Sequence, residues 1–183
     1  MLKIGVIGYG GRIHQVVTLL LETEKCALTS VADVNIERVK ERFAYFSENP
    51  GVKFYSDAEE MLKSEELDGV LIGTNCNTHT EYALLSAKYN KPMFLEKPVC
   101  TTYEDLKLLK SILHMDKKTV VSFPLRVTRL VEFMKDMVDS GKLGELSQVQ
   151  AYNNVTYASG YYHKWYRDDS ITGGLFYRKR LTT

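Results

Sequence analysis

The first stretch of the chain constrains its fold more than any other. Leu2 to Ile7 is a short apolar run that stops at Gly8-Tyr9-Gly10-Gly11. From Arg12 to Glu22 the apolar residues Ile13, Val16, Val17, Leu20 and Leu21 then recur at helical spacing. A buried strand, a glycine turn and an amphipathic helix in direct succession open a parallel α/β unit. The turn glycines let the backbone reverse tightly and leave the N–H groups of the first helical turn uncovered.

The alternation continues downstream. Leu28–Ala32 reads as the second strand, and Asn35 as the cap of a helix running to about Phe46. Pro50-Gly51 is a turn before a short strand over Val52–Tyr55. Ser56 and Glu59 form a capping-box pattern at the start of the next helix. Val70–Gly73 is the fourth strand, and Asn77 or Thr78 caps a helix running to about Tyr89. Met93–Leu95 is the fifth strand. Thr102 and Asp105 open a helix with Leu106, Leu109, Ile112 and Leu113 as its buried stripe, and Val120–Phe123 is the sixth strand. Strands alternating with helices predict a doubly wound parallel sheet of Rossmann type over residues 1–123.

After Pro124 the pattern changes. Val127–Ser140 is a helix with Leu130, Val131, Met134 and Val138 on one face and Gly141 beyond it. Leu146–Val155 alternates polar and apolar residues, as a half-buried strand of a more open sheet does. Residues 124–183 thus read as the incomplete start of a second α/β domain, too short for a core of its own.

Composition excludes several function classes. With 24 Lys and Arg against 23 Asp and Glu, the net charge of +1 gives no electrostatic case for nucleic acid or an anionic membrane. No apolar run reaches membrane-spanning length, and the first residues lack a signal-peptide pattern. Cys26, Cys76 and Cys100 are scattered and form no CxxC pair, which fits a reduced cytoplasmic setting and predicts no metal site.

The candidate site residues sit at the carboxyl ends of the predicted strands, where ligands of open α/β sheets bind. Gly8, Tyr9, Gly10, Gly11, Arg12 and Ile13 span the glycine fingerprint. Ile13 takes its third position, usually Gly or Ala, which serves helix–strand packing. Asp33 closes the second strand near the ~20-residue offset of a ribose-binding acid. A carboxylate there accepts hydrogen bonds from the adenosine ribose and repels a 2′-phosphate, which favours NAD, with NADP as the alternative. Glu96 and Lys97 follow the fifth strand, and Pro98 holds Lys97 extended with the option of a cis bond. Neighbours on an extended strand face opposite ways, so one of the pair would meet the nicotinamide ribose and the other the reacting carbon. An ammonium at that carbon hydrogen-bonds a hydroxyl and stabilises an alkoxide as hydride leaves.

These residues together make the chain similar to the Gfo/Idh/MocA oxidoreductases, the glucose–fructose oxidoreductase and inositol dehydrogenase family. The likeness runs through Gly8-Tyr9-Gly10, Asp33, Thr74-Asn75, His79, Glu96-Lys97-Pro98, Arg126, Gly141-Lys142-Leu143-Gly144 and Trp165…Gly173-Gly174. The Glu-Lys-Pro triplet is its most specific element. The resemblance implies NAD(P)-dependent hydride transfer with a sugar, polyol or related hydroxy compound, and a homo-oligomer assembled through the second domain's sheet. It places Thr74, Asn75 and His79 at the cofactor, Glu96 at the nicotinamide ribose and Lys97 at the substrate as the catalytic residue. Trp165 and Arg167 would reach the cleft. In the family a histidine-bearing helix follows the double glycine, whereas here no histidine follows His163. The expectation is therefore a truncated, weakly active or inactive chain. The alternative is a non-catalytic nucleotide-binding module or pseudoenzyme.

Overall fold

The computed structural model describes residues 1–46, 51–113, 118–152 and 165–174. Six parallel strands form one sheet in the order β3-β2-β1-β4-β5-β6. They are β1 Leu2–Ile7, β2 Cys26–Ala32, β3 Lys53–Tyr55, β4 Gly69–Ile72, β5 Met93–Leu95 and β6 Thr119–Val121. The helices between them are α1 Gly11–Leu21, α2 Ile36–Phe46, α3 Ala58–Ser64, α4 His79–Lys88 and α5 Tyr103–Leu113. The doubly wound parallel sheet predicted from the sequence is the observed architecture. Strand order reverses between β1 and β4, so a crevice opens there at the carboxyl edge.

Side chains alternate across each strand and divide the core into two layers. Ile4 and Val6 of β1 and Leu71 of β4 pack with Ile13, Val17, Val39 and Phe43 under α1 and α2. Ile7, Val70, Ile72 and Leu95 face the other way, against Met61, Leu62, Ala83 and Leu109 of α3, α4 and α5. With both faces covered, the central strands are continuous apolar runs.

Local chemistry explains most of the boundaries and corrects some expectations. Asn35 caps α2 through the Arg38 amide at 3.2 Å, and Thr102 caps α5 through the Asp105 amide at 3.1 Å. The capping residue of α3 is Asp57, not Ser56: its carboxylate accepts from the Glu60 amide at 2.7 Å. Ser56-Asp57-Ala58-Glu59-Glu60 holds two overlapping capping patterns, and the charged acceptor wins. Neither Asn77 nor Thr78 caps α4, because a 3-10 turn over Cys76–Thr78 leads into it and Thr78 makes no cap hydrogen bond. In α5, Leu109 is fully buried while Leu106 is exposed, so the stripe is narrower than predicted.

Beyond β6 a 3-10 turn, Pro124–Val127, precedes α6 at Arg129–Asp139, which Thr128 caps. The apolar residues Leu130, Phe133 and Met134 of α6 are exposed. Residues 146–152 are not a strand, and Leu146, Val149 and Tyr152 are exposed. Every strand among the described residues belongs to the six-stranded sheet, so this alternation has no ladder to join. The rest of that expected strand, residues 153–155, lies outside the described residues. A 3-10 turn at Trp165–Arg167 packs on a short helix at Asp169–Thr172, capped by Asp168, and that helix packs back onto the Cys76–Thr78 turn. No helix among the described residues is long and apolar enough to cross a membrane.

Candidate functional site

A cleft of about 1010 Å³ opens at the carboxyl edge of the sheet, over the β1–β4 reversal. Gly8, Gly10, Gly11 and Arg12 form one wall and Asp33 the end beneath β2. Thr74, Asn75 and His79 line the β4 side, and Glu96 and Lys97 the β5 side. The topology therefore brings nearly every predicted site residue together.

Gly8 has φ +80°, and a Cβ there would stand 2.6–2.8 Å from atoms of Thr74. Only glycine fits a left-handed turn pressed against the neighbouring loop. Gly10 and Gly11 are different: a Cβ at Gly10 would find its nearest neighbour 3.8 Å away, and Gly11 faces open space. The α1 N-terminus beside them has no side-chain cap and no acidic residue in its first turn. Its free N–H groups and dipole thus face a void of the kind a pyrophosphate fills.

Tyr9 and Ile13, also in the predicted set, stand behind this wall in the core. Ile13 is fully buried, and a Cβ on Gly73 would meet its side chain at 2.7–3.0 Å. The close helix–strand approach that a fingerprint glycine provides from the helix is provided here from Gly73, just past β4. The Tyr9 hydroxyl lies 3.0 Å from His14 Nδ1, and its ring packs on Phe43 at 4.9 Å. Burial pushes the Tyr9 phenol up to about 12, with the Arg42 charge opposing slightly. Burial and Arg42 together lower the His14 imidazole.

Asp33 is buried at the end of β2. Its Oδ2 accepts from the Tyr9 amide at 2.8 Å and its Oδ1 from the Asn35 amide at 2.8 Å. Arg38 Nη2 lies 3.9 Å from Oδ1. The carboxylate thus ties the glycine turn to the β2 end while still facing the cleft.

β5 ends at Leu95, and both Glu96 and Lys97, the next two residues, line the cleft. Glu96 is buried; its Oε1 accepts from the Ser122 hydroxyl at 2.9 Å and lies 3.6 Å from Arg12 Nε. The Lys97–Pro98 peptide is cis. His79 is 1% exposed, with Nδ1 2.6 Å from the Pro98 carbonyl and Nε2 3.2 Å from the Thr74 carbonyl. Both carbonyls can only accept, so a neutral ring donates to one of them, and the buried side chain stands between the β4 and β5 loops.

Sequence reasoning missed Arg38, Ser56 and Tyr82, which also line the cleft, and Ser122 behind Glu96. Ser122 had no signal beyond its place at a strand end. Of the predicted pair Trp165 and Arg167, Trp165 lines the cleft, but Tyr166 takes the other place, stacked on it at 4.1 Å. Arg167 is exposed away from the cleft. Arg126 also lies elsewhere, with its guanidinium over Phe123 at 5.4 Å.

Comparison with known proteins agrees with this geometry. The sequence profile of the Gfo/Idh/MocA group, described as "Oxidoreductase family, NAD-binding Rossmann fold", matches residues 2–123. A myo-inositol 2-dehydrogenase from Thermotoga maritima is 30% identical over 148 residues, 79% of this chain and 42% of that protein. The crystal structure of a probable dehydrogenase from Thermotoga maritima is 29% identical, with a TM-score of 0.67 over 78% of this chain and 42% of its own. A scyllo-inositol dehydrogenase from Lactobacillus casei, solved with bound NAD(H) and scyllo-inositol, shares the fold at 21% identity and a TM-score of 0.69. It covers 79% of this chain and 43% of its own. The chain thus spans about two-fifths of the length of these relatives. A glycine turn open to a phosphate, an acid at the end of β2 and a matched profile over both make this chain a member of the Gfo/Idh/MocA oxidoreductase family, with that family's NAD-binding Rossmann fold.

Proposed function

We propose that the chain carries the cofactor half of an oxidoreductase that moves hydride between NAD and a sugar, polyol or related hydroxy compound. The carrying observation is that Glu96 and Lys97 share one cleft with the open glycine turn and Asp33. Gly10, Gly11 and the α1 N-terminus would hold the pyrophosphate, Asp33 the adenosine ribose, and Glu96 the nicotinamide ribose, with Thr74 and Asn75 beside it. The nicotinamide, when bound, supplies the hydride acceptor or donor. Lys97 hydrogen-bonds the reacting hydroxyl and stabilises the negative charge that develops on its oxygen. Arg12 and Ser122 hold the Glu96 carboxylate in place, and His79 braces the Pro98 carbonyl one residue after Lys97. The end of the profile match at residue 123 supports a division at Pro124, with residues 124–183 belonging to a substrate and oligomerisation unit.

The test is a calorimetric titration with NADH, followed by a kinetic survey of sugars and polyols, inositols among them, with NAD. Saturable NADH binding with turnover lost in Lys97→Ala supports the enzyme reading. Turnover that survives Lys97→Ala would reject the role of that lysine. Binding with no turnover of any polyol favours a nucleotide-binding module.

A further inference from the structure

The last described segment carries two aromatic rings into the cleft that the cofactor assignment does not use. Trp165 and Tyr166 both line the cleft and are half-buried. Their rings stack at 4.1 Å between centroids and 22° between planes. Two contacts place them at the Lys97 end. The short helix that follows, Asp169–Thr172, packs on the Cys76–Thr78 turn beyond β4. Gly173 then comes so close to Thr101, in the loop that Lys97 opens, that a Cβ on it would meet that residue at 3.0 Å. Asp33 lies toward the other end, since β1 and β4 stand between β2 and β5. The short helix is fixed at both ends: the Asp168 carboxylate accepts from the Ser170 amide at 2.9 Å, and Gly173 closes it in a left-handed conformation at φ +69°.

We propose that Trp165 and Tyr166 form a stacking platform for the apolar face of a ring-shaped polyol, so that the cleft selects cyclitols and pyranoses over open-chain polyols. The inference rests on the placement of the reacting hydroxyl at Lys97 proposed above. In a saturated ring with equatorial hydroxyls, the O–H groups circle the rim and the C–H bonds cover both faces. The rim offers a hydroxyl to Lys97 while one face lies on the aromatic surface. Those C–H hydrogens carry partial positive charge, and the face of an indole or phenol ring is negative. The contact also removes apolar area of both partners from water. An open-chain polyol keeps no such face: each C–C rotation turns hydroxyls to another side, and freezing those rotations costs entropy. Tyr166, stacked on Trp165, sets the orientation of the indole.

The chain has a single tryptophan, so its intrinsic emission reports on this platform directly. The test titrates the purified chain, saturated with NAD, with myo-inositol and with mannitol, which match in carbons and hydroxyls and differ in ring closure. Binding is read by Trp165 emission in the native chain. Saturation-transfer NMR reads it in the native chain, Trp165→Leu and Trp165→Phe, with circular dichroism to check folding. We expect myo-inositol to change the emission and to bind about tenfold more tightly than mannitol, the scale of one aromatic stacking contact. Trp165→Leu removes that preference and Trp165→Phe keeps most of it, with NAD affinity the same in all three. Lys97→Ala weakens both polyols alike, because the hydroxyl contact is common to them. Equal binding of the two polyols would overturn the platform and leave the hydride-transfer reading standing. So would a preference that survives Trp165→Leu, or a loss of NAD affinity in that variant, which gives the ring to the cofactor instead. NAD binding with neither polyol bound would remove the platform and the polyol reading together, and failure to bind NAD would remove the cofactor site with them.

Discussion

Asp33 performs two tasks that truncation to alanine removes together. Facing the cleft, it is the proposed ribose acceptor; behind it, its oxygens accept the Tyr9 and Asn35 amides. Asp33→Ala should therefore lower stability by roughly 1–3 kcal/mol with no nucleotide present, because the buried Tyr9 amide and the part-buried Asn35 amide lose their acceptor. Chemical denaturation of the unliganded variant checks this, and an unchanged midpoint would confine Asp33 to the cleft. Tyr9 gives a pH-dependent case. Its phenol is raised from 10.0 to about 12 by burial, so the folded chain holds that proton more tightly than the unfolded one. The associated stability is whole below about pH 10 and is lost as pH rises toward about 12. Tyr9→Phe should flatten that alkaline loss in urea titrations from pH 9 to 12, whereas a slope equal to the native one would assign the loss to other groups.

At the scale of elements, two contacts decide how the site is framed. α1 approaches β4 closely because Gly73 has no side chain where Ile13 lies. Gly73→Ala should cost about 1–3 kcal/mol through overpacking. Pairing it with Ile13→Val should recover part of that cost, and a double-mutant cycle with no coupling would refute the contact. α3 offers a cleaner comparison of neighbours. Asp57→Ala should cost about 1 kcal/mol through loss of the cap, while Ser56→Ala leaves thermal stability nearly unchanged. The reverse ranking would return the cap to Ser56.

For the whole molecule, the main consequence is that distant segments share one cleft. Trp165 and Tyr166 stand in it, although they follow the last strand of the sheet by more than forty positions. Gly173 makes this approach possible: it has φ +69°, and a Cβ there would press on Thr101 at 3.0 Å. Elsewhere the molecule exposes an apolar face on α6, where Leu130, Phe133 and Met134 are open. Such a patch binds hydrophobic dyes and favours association. The double variant Leu130→Lys, Met134→Lys should bind less of such a dye and sediment with less dependence on concentration, and equal dye binding would place the accessible apolar surface elsewhere.

The sequence by itself determined the sheet class, the strand and helix succession to residue 123, the open glycine turn and the position of Asp33. These follow from periodicity, capping and turn chemistry, which act between residues close along the chain. It also placed Glu96 and Lys97 together at the strand end where the cleft lies. The pairing of Arg12 and Ser122 with Glu96, of Arg38 with Asp33, and of Gly73 with Ile13 was decided only by the tertiary structure. So was the fate of residues 146–152, whose alternation is a strand pattern only where a partner strand lies beside it. Local order is written in spacing along the chain, whereas a contact between separate elements depends on the sheet order and register that bring them together.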